Sequence, residues 1–107
     1  MFARFIEFSL KVDKQEEFLK LIRNEVLPIM RKQAGFLEML PCFSDARPEK
    51  VVVISLWDSK ANAEKFQDNV SARVFDIVKP YSTPTTVALY HVDTSLCARF
   101  AELLSAA

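Results

Sequence analysis

Four segments of the chain show the hydrophobic patterns of β-strands. They are residues 2–10, 36–43, 50–57 and 83–92. The first segment alternates between two faces, which is typical of a strand whose two sides meet different surroundings. The third segment (KVVVISLW) is almost continuously hydrophobic and predicts a strand covered on both faces. Pro41 lacks the amide hydrogen that a sheet ladder needs, so it predicts an edge position or a bulge in the second strand.

The first long segment between strands has the period of an amphipathic helix. Apolar residues recur about every four positions between Asp13 and Gln33. Asp13 precedes Glu16 by three residues, a capping-box pattern that predicts the start of the helix. Pro28 predicts a bend in its last turns. Gly35 predicts a left-handed residue that ends it.

A second helical segment covers residues 60–79, with Ser59 as its N-cap. A weak point at Val70–Ser71 allows two short helices in place of one. After Asp93 the spacing of leucine and phenylalanine predicts a short C-terminal helix. We therefore expect a main domain over residues 1–93 and a helical extension over residues 94–107. The extension is expected to pack across a partner protomer or over the mouth of a cavity.

The order β-α-β-β-α-β is the split arrangement of ferredoxin-like α+β folds. It predicts a four-stranded antiparallel sheet with both helical segments on one face, because two right-handed crossovers place them on the same side. The other face of the sheet is then bare, although Val52, Ile54 and Leu56 of the third strand point toward it. An uncovered apolar face marks an interface, so we expect a homodimer that packs through this face.

Composition narrows the classes of function. The 107 residues suit one domain, and 14 basic residues balance 14 acidic ones, which argues against a nucleic-acid partner. No apolar run is long enough for a transmembrane helix and no secretory signal is recognisable, so we expect no membrane partner and a cytoplasmic location. A single glycine argues against Gly-rich phosphate loops. A single histidine and two cysteines argue against a metal site.

Residues 1 to about 93 resemble the antibiotic biosynthesis monooxygenase family. The resemblance rests on Val26-Leu27-Pro28 ahead of Gly35-Phe36, on Trp57-Asp58-Ser59 with Ala63 and Phe66 behind it, and on Tyr90. It implies a homodimeric α/β barrel built from two ferredoxin-like protomers. It also implies a monooxygenase without a cofactor, which uses O₂ on a small aromatic substrate such as a quinol or a polycyclic phenol.

The resemblance also implies a substrate-binding set. Its members are Trp57, Phe66, Ile6 and Tyr90. Trp57 either lines a pocket for a flat ring or fills the core between sheet and helix. Phe66 stands where many members of the family carry a histidine, so a general base is missing there. Ile6 and Asp76 stand where haem-degrading members carry asparagine and histidine, which argues against haem chemistry.

Three polar residues are candidates for a catalytic role. Arg4 is the one charge on an apolar strand face; it either holds a phenolate or carboxylate, extends to the sheet edge, or pairs with an acid across the dimer. His91 either accepts a proton from a hydroquinone or is a satisfied surface or interface residue. Tyr90, on the strand face opposite His91, is expected to bind a substrate oxygen.

Two functions remain open from the sequence. One is the monooxygenase, in which Trp57, Phe66, Tyr90 and either Arg4 or His91 share one apolar cavity. The other is a non-catalytic dimeric module that binds a small hydrophobic molecule or a partner protein, with Trp57 as core. The missing histidine at Phe66 favours the second. A closed cavity of less than about 100 Å³ beside Trp57 would remove the monooxygenase interpretation, because ligand sites usually enclose about 300 Å³ or more.

Overall fold

Four strands form one antiparallel sheet in the computed structural model, which describes residues 1–96. They are β1 (Phe2–Leu10), β2 (Phe36–Phe43), β3 (Lys50–Trp57) and β4 (Ser82–His91). Their order across the sheet is β2-β3-β1-β4, which confirms the ferredoxin-like α+β fold. Strand β2, with Pro41, lies at an edge as predicted. The other edge is β4, which begins and ends one residue earlier than expected.

The pairing register assigns side chains to the two faces of the sheet. Arg4 of β1 lies opposite Ser55 of β3. Ala3 lies opposite Leu56 of β3 and Tyr90 of β4. Because successive side chains point to opposite sides, Arg4 and Ser55 share one face, and Ala3, Leu56 and Tyr90 share the other. We call the first the helix-covered face and the second the open face.

The first helical segment is less regular than the sequence predicts. It consists of α1 (Gln15–Leu21), a π-helix (Ile22–Val26) and α2 (Leu27–Arg31). The predicted capping box is wrong, because Asp13 has a φ of 56° and the N-cap is Lys14, which makes no side-chain hydrogen bond. Pro28 lies in the first turn of α2. A proline lacks the amide hydrogen and crowds the turn before it, which accounts for a wider turn at this point.

The second helical segment divides as predicted, into α3 (Lys60–Asn69) and α4 (Ser71–Val78). Ser59 is the N-cap of α3, and its hydroxyl accepts a hydrogen bond from the Asn62 amide at 3.2 Å. Gly35 precedes β2 with a φ of 79°, which confirms the left-handed conformation expected there.

The core lies between the sheet and the helices. Within residues 1–96 its buried cluster takes strand side chains from the helix-covered face, such as Ile6, Phe8 and Trp57. On the open face Ala3 and Leu56 are buried as well, but they lie outside this cluster. From the helices it takes Phe18 of α1 and Phe66 of α3, among others. Helices α1 to α4 therefore lie on one side of the sheet, as the crossover argument predicts.

After β4 the described chain ends in one 3₁₀ turn, Thr94–Leu96. The C-terminal helix expected beyond Asp93, and most of the predicted extension over residues 94–107, lie outside the described residues. None of the helices in the described part of the chain is long and apolar enough to cross a bilayer.

Candidate functional site

A cavity of about 30 Å³ lies between the helix-covered face and the helices. Its wall is apolar apart from Arg4 and Ser55. The apolar wall includes Ile6, Ile22, Val26, Val53 and Phe66. This volume holds a water molecule or two but no aromatic ring. It falls below the threshold of about 100 Å³, so by that criterion the closed protomer argues against the monooxygenase and favours the non-catalytic alternative.

Arg4 carries the charge of this cavity. Its side chain comes from the middle of the apolar face of β1 and is only 4% exposed. Its Nε donates a hydrogen bond to Oε1 of Gln67 at 3.2 Å. Its guanidinium carbon lies 5.2 Å from the ring centre of Phe66 and 5.8 Å from that of Phe75. Arg4 therefore does not extend to the sheet edge, which was one of the expected alternatives.

No ion pair within residues 1–96 includes Arg4. An acid supplied across a dimer stays a prediction. Burial lowers the pKa of Arg4 below its ordinary value, to about 10, because a charged group loses hydration in the core. The guanidinium is still protonated at neutral pH, so the cavity is lined by a positive charge that no acidic residue among residues 1–96 pairs with.

Trp57 is fully buried at the end of β3. Its indole N–H donates a hydrogen bond to the Ser55 hydroxyl at 2.9 Å. Its ring packs against Phe66 and Phe36, with centre-to-centre distances of 5.1 Å and 5.7 Å. Because the indole donor is already used, Trp57 has no hydrogen bond to offer a ligand in this state. Phe66, rather than Trp57, forms the cavity wall.

Tyr90 lies on the open face and is 55% exposed. Its ring meets Phe5 edge-on, with centres 5.1 Å apart. The two residues line a groove of about 510 Å³, to which Glu7 and His91 also contribute. The expectation that one cavity gathers all the candidates is wrong for a single protomer, because the sheet separates Tyr90 from Ile6 and Phe66.

His91 is exposed at the end of β4. Its ring packs edge-on against Phe2, with centres 5.5 Å apart. Phe2 is its partner across the β1–β4 pairing, so the edge-on contact joins cross-strand neighbours. His91 borders the open-face groove but does not line the cavity around Arg4.

Two residues of the site escaped sequence reasoning. Ser55 lies two residues before Trp57, and strand alternation places both side chains on one face. The sequence therefore contained a signal for the role of Ser55 as hydrogen-bond acceptor. Gln67 is 63 residues from its partner Arg4 in the chain, and no local pattern relates the two. Within the described residues, no group of three or more His, Cys, Asp or Glu side chains is placed to hold a metal ion.

The family model described as Antibiotic biosynthesis monooxygenase matches residues 1–79. The structure of SnoaB, a cofactor-independent oxygenase from Streptomyces nogalater, superposes with a TM-score of 0.73 at 13% identity, over 90% of this chain and 96% of that chain. A Nitrosomonas europaea protein assigned as an antibiotic biosynthesis monooxygenase gives 0.67 at 18% identity, over 86% and 98%. A conserved protein from Methanosarcina mazei Go1 gives 0.67 at 14% identity, over 87% and 94%.

No curated protein matches the chain in sequence. At such low identities the solved structures show a shared fold, whereas substrates and reactions differ among proteins of one fold. The family model is a more specific finding, because it spans well over half of the chain, from β1 to the end of α4. The chain belongs to the antibiotic biosynthesis monooxygenase family.

Proposed function

We propose that this protein is a cofactor-independent monooxygenase that oxidises a small aromatic substrate, a quinol or a polycyclic phenol, with O₂. The observation that carries the proposal is the wall of the cavity between sheet and helices, which is apolar except for a buried guanidinium and one hydroxyl. No carboxylate or imidazole of residues 1–96 lines it. The protein would therefore supply positioning, a dry environment and a positive charge rather than a general base.

The atoms and electrons of the proposed reaction balance without an external reductant. A hydroquinone loses its two hydroxyl hydrogens, and one ring C–H becomes C–OH with an oxygen atom from O₂. The other oxygen atom leaves as water, and the product is a hydroxyquinone. Ionisation of the phenol makes the ring electron-rich enough to react with O₂. Arg4 would stabilise the anion so formed.

Substrate entry requires the cavity wall to move, because about 30 Å³ does not admit a ring. The wall contains Ile22 and Val26, which are the buried residues of the π-helix. Such segments are frequent at functional sites and are less regular than the α-helix around them. We place the opening of the cavity at this π-helix. In the open form Ile6 and Phe66 would contact the ring, with Trp57 supporting Phe66 from the core.

We also propose that the protein is a homodimer that packs through the open face. Tyr90 and Leu40 are large apolar or aromatic side chains that remain 55% and 44% exposed in the protomer. The groove beside Tyr90 is lined mainly by apolar side chains such as Phe5 and Val52. A second copy would remove this surface from water. Tyr90 would then act on a ligand only from this side of the sheet.

The second candidate is the non-catalytic module. It is favoured by the small volume of the closed cavity and by the satisfied indole of Trp57. In this alternative the aromatic cluster around Trp57 is core, and Arg4 is held by Gln67 and the two phenylalanine rings alone.

Oxygen uptake separates the two candidates. Wild type is mixed with a panel of hydroquinones and polycyclic phenols, and uptake and products are followed. The proposal expects equimolar consumption of O₂ and substrate, and a rate about tenfold lower in Trp57→Phe, because the support of Phe66 is lost. Tyr90→Phe reports on the open-face groove and is expected to react like wild type.

No uptake by wild type across the panel would support the non-catalytic module. A loss confined to Tyr90→Phe would move the reaction to the open face and contradict the placement proposed here. Circular dichroism of both variants checks that a lower rate does not come from unfolding.

A further inference from the structure

Arg4 is a buried charge without an oppositely charged partner among residues 1–96. An ionised group taken out of water is costly unless it is paired and hydrogen-bonded. Here the partners within the described residues are a neutral amide, Gln67, and the faces of Phe66 and Phe75. Ring faces attract a cation but do not neutralise it. Arg4 thus retains its full positive charge inside an apolar cavity.

The donors of Arg4 that have no partner among the described residues are as informative as its charge. The hydrogen bond to Gln67 occupies only Nε, and a guanidinium carries further N–H groups on its two terminal nitrogens. No fully buried side-chain nitrogen of residues 1–96 lacks a partner, so these terminal groups face accessible space rather than packed core. The planar fork they form matches the two oxygens of a carboxylate, or a single phenolate oxygen with a bridging water.

Gln67 fixes the direction of this fork. Its side-chain oxygen holds Nε, while its own backbone carbonyl accepts a hydrogen bond from the Ser71 hydroxyl at the junction of α3 and α4. Phe66, the preceding residue, supplies a ring face beside the guanidinium. A bound aromatic ring would therefore meet an apolar wall on one side and the free donors of Arg4 at its polar end.

We propose that Arg4 is the receptor for an anionic oxygen of the ligand, so that the cavity selects aromatic acids and ionised phenols over neutral rings of the same shape. Gln67 is a positioning residue that orients Arg4 and does not itself bind the ligand. This inference rests on the proposed function only in that a ligand enters the cavity. It does not require that the ligand reacts.

The matched probes are 2-naphthoate, which is ionised at neutral pH, and 2-naphthamide, its neutral counterpart of nearly equal shape. Binding is followed by the fluorescence of Trp57, the one tryptophan of the chain, and by calorimetry. Wild type is expected to bind the carboxylate at least about tenfold more tightly, because a hydrogen bond to a charged group contributes more than a neutral one. Arg4→Met is expected to abolish the preference, and Arg4→Lys to keep part of it.

The variant Gln67→Glu tests whether Arg4 binds the ligand or only stabilises the fold. A carboxylate at this position pairs with Nε of Arg4, which raises the melting temperature and at the same time neutralises the positive charge that attracts an anionic ligand. The proposal expects a more stable protein that has lost 2-naphthoate binding and keeps 2-naphthamide binding. Arg73→Met removes an exposed arginine from α4 and is the control; it is expected to leave both affinities unchanged.

Three outcomes are distinguishable. Equal binding of the two probes by wild type and by Arg4→Met would overturn the inference and leave the proposed function in place. Binding of neither probe by wild type would contradict ligand entry, and with it both proposals. Preference for 2-naphthoate with no O₂ uptake on the phenol panel would support the inference and contradict the monooxygenase.

Discussion

Gly35 joins the start of β2 to the end of β3 through its backbone. Its carbonyl accepts a hydrogen bond from the Asp58 amide at 2.9 Å. Its φ of 79° lies in the left-handed region, and a Cβ there would collide with the side chains of Asp58 and Asn62. Gly35→Ala is therefore expected to lower the free energy of unfolding by about 1–3 kcal/mol, through backbone strain and the displaced side chains. Urea denaturation measures the loss.

The neighbouring Ala34 is exposed and provides the control. Ala34→Ser changes a side chain of similar size with no special backbone conformation and is expected to stay within about 0.5 kcal/mol of wild type. A urea midpoint for Gly35→Ala equal to that of wild type would contradict the steric argument.

At the residue scale, the alternation of side chains along a strand predicts which face of the sheet a side chain lies on, but it does not predict the volume of a cavity on that face. It placed Arg4, Ile6 and Trp57 on one face because side chains of a strand alternate regardless of context. It gave no cavity volume, because that depends on how side chains from several elements pack together. It also gave no partner for Arg4, because Gln67 belongs to a helix far along the chain.

At the scale of elements, hydrophobic patterns predicted the strands closely and the first helix less well. Strands β1, β2 and β3 have the predicted bounds, since each has a clear apolar pattern and is followed by polar or turn residues. The prediction of the first helix was wrong where the local backbone geometry decides the N-cap and the helix type. Asp13 takes a left-handed conformation, which removes it as an N-cap, and Pro28 disturbs the hydrogen-bond ladder before it.

The N-cap of α3 is the clearest element-level prediction. The Ser59 hydroxyl accepts a hydrogen bond from the Asn62 amide, a donor that has no partner inside the helix. Ser59→Ala leaves this donor to water and is expected to cost about 1 kcal/mol of unfolding free energy. Ser59→Asp keeps an acceptor and adds a favourable charge at the helix N-terminus, so it is expected to retain wild-type stability. Equal losses in the two variants by urea denaturation would show that the cap contributes little.

At the scale of the whole molecule, the sheet separates two different environments. The helix-covered face holds the core and the charged cavity around Arg4. The open face holds the groove with Phe5 and Tyr90. Changes on one face are therefore expected to leave the chemistry of the other largely intact, since side chains of the two faces do not meet across the sheet. This separation makes assembly testable apart from ligand binding.

Ile54→Arg is the variant that tests assembly. Ile54 lies on the central strand β3, on the open face and away from the core cluster, so a charge there opposes burial between two sheets more than it disturbs folding. Wild type is expected to sediment as a dimer at micromolar concentration, and Ile54→Arg as a folded monomer, because an unpaired charge in an apolar interface weakens association by several kcal/mol. Ala72→Arg, at an exposed position on α4, is the matched control and is expected to remain dimeric. If the wild-type protein sediments as a single, stable protomer, the open face does not need a second copy, and the argument from its exposed side chains is wrong.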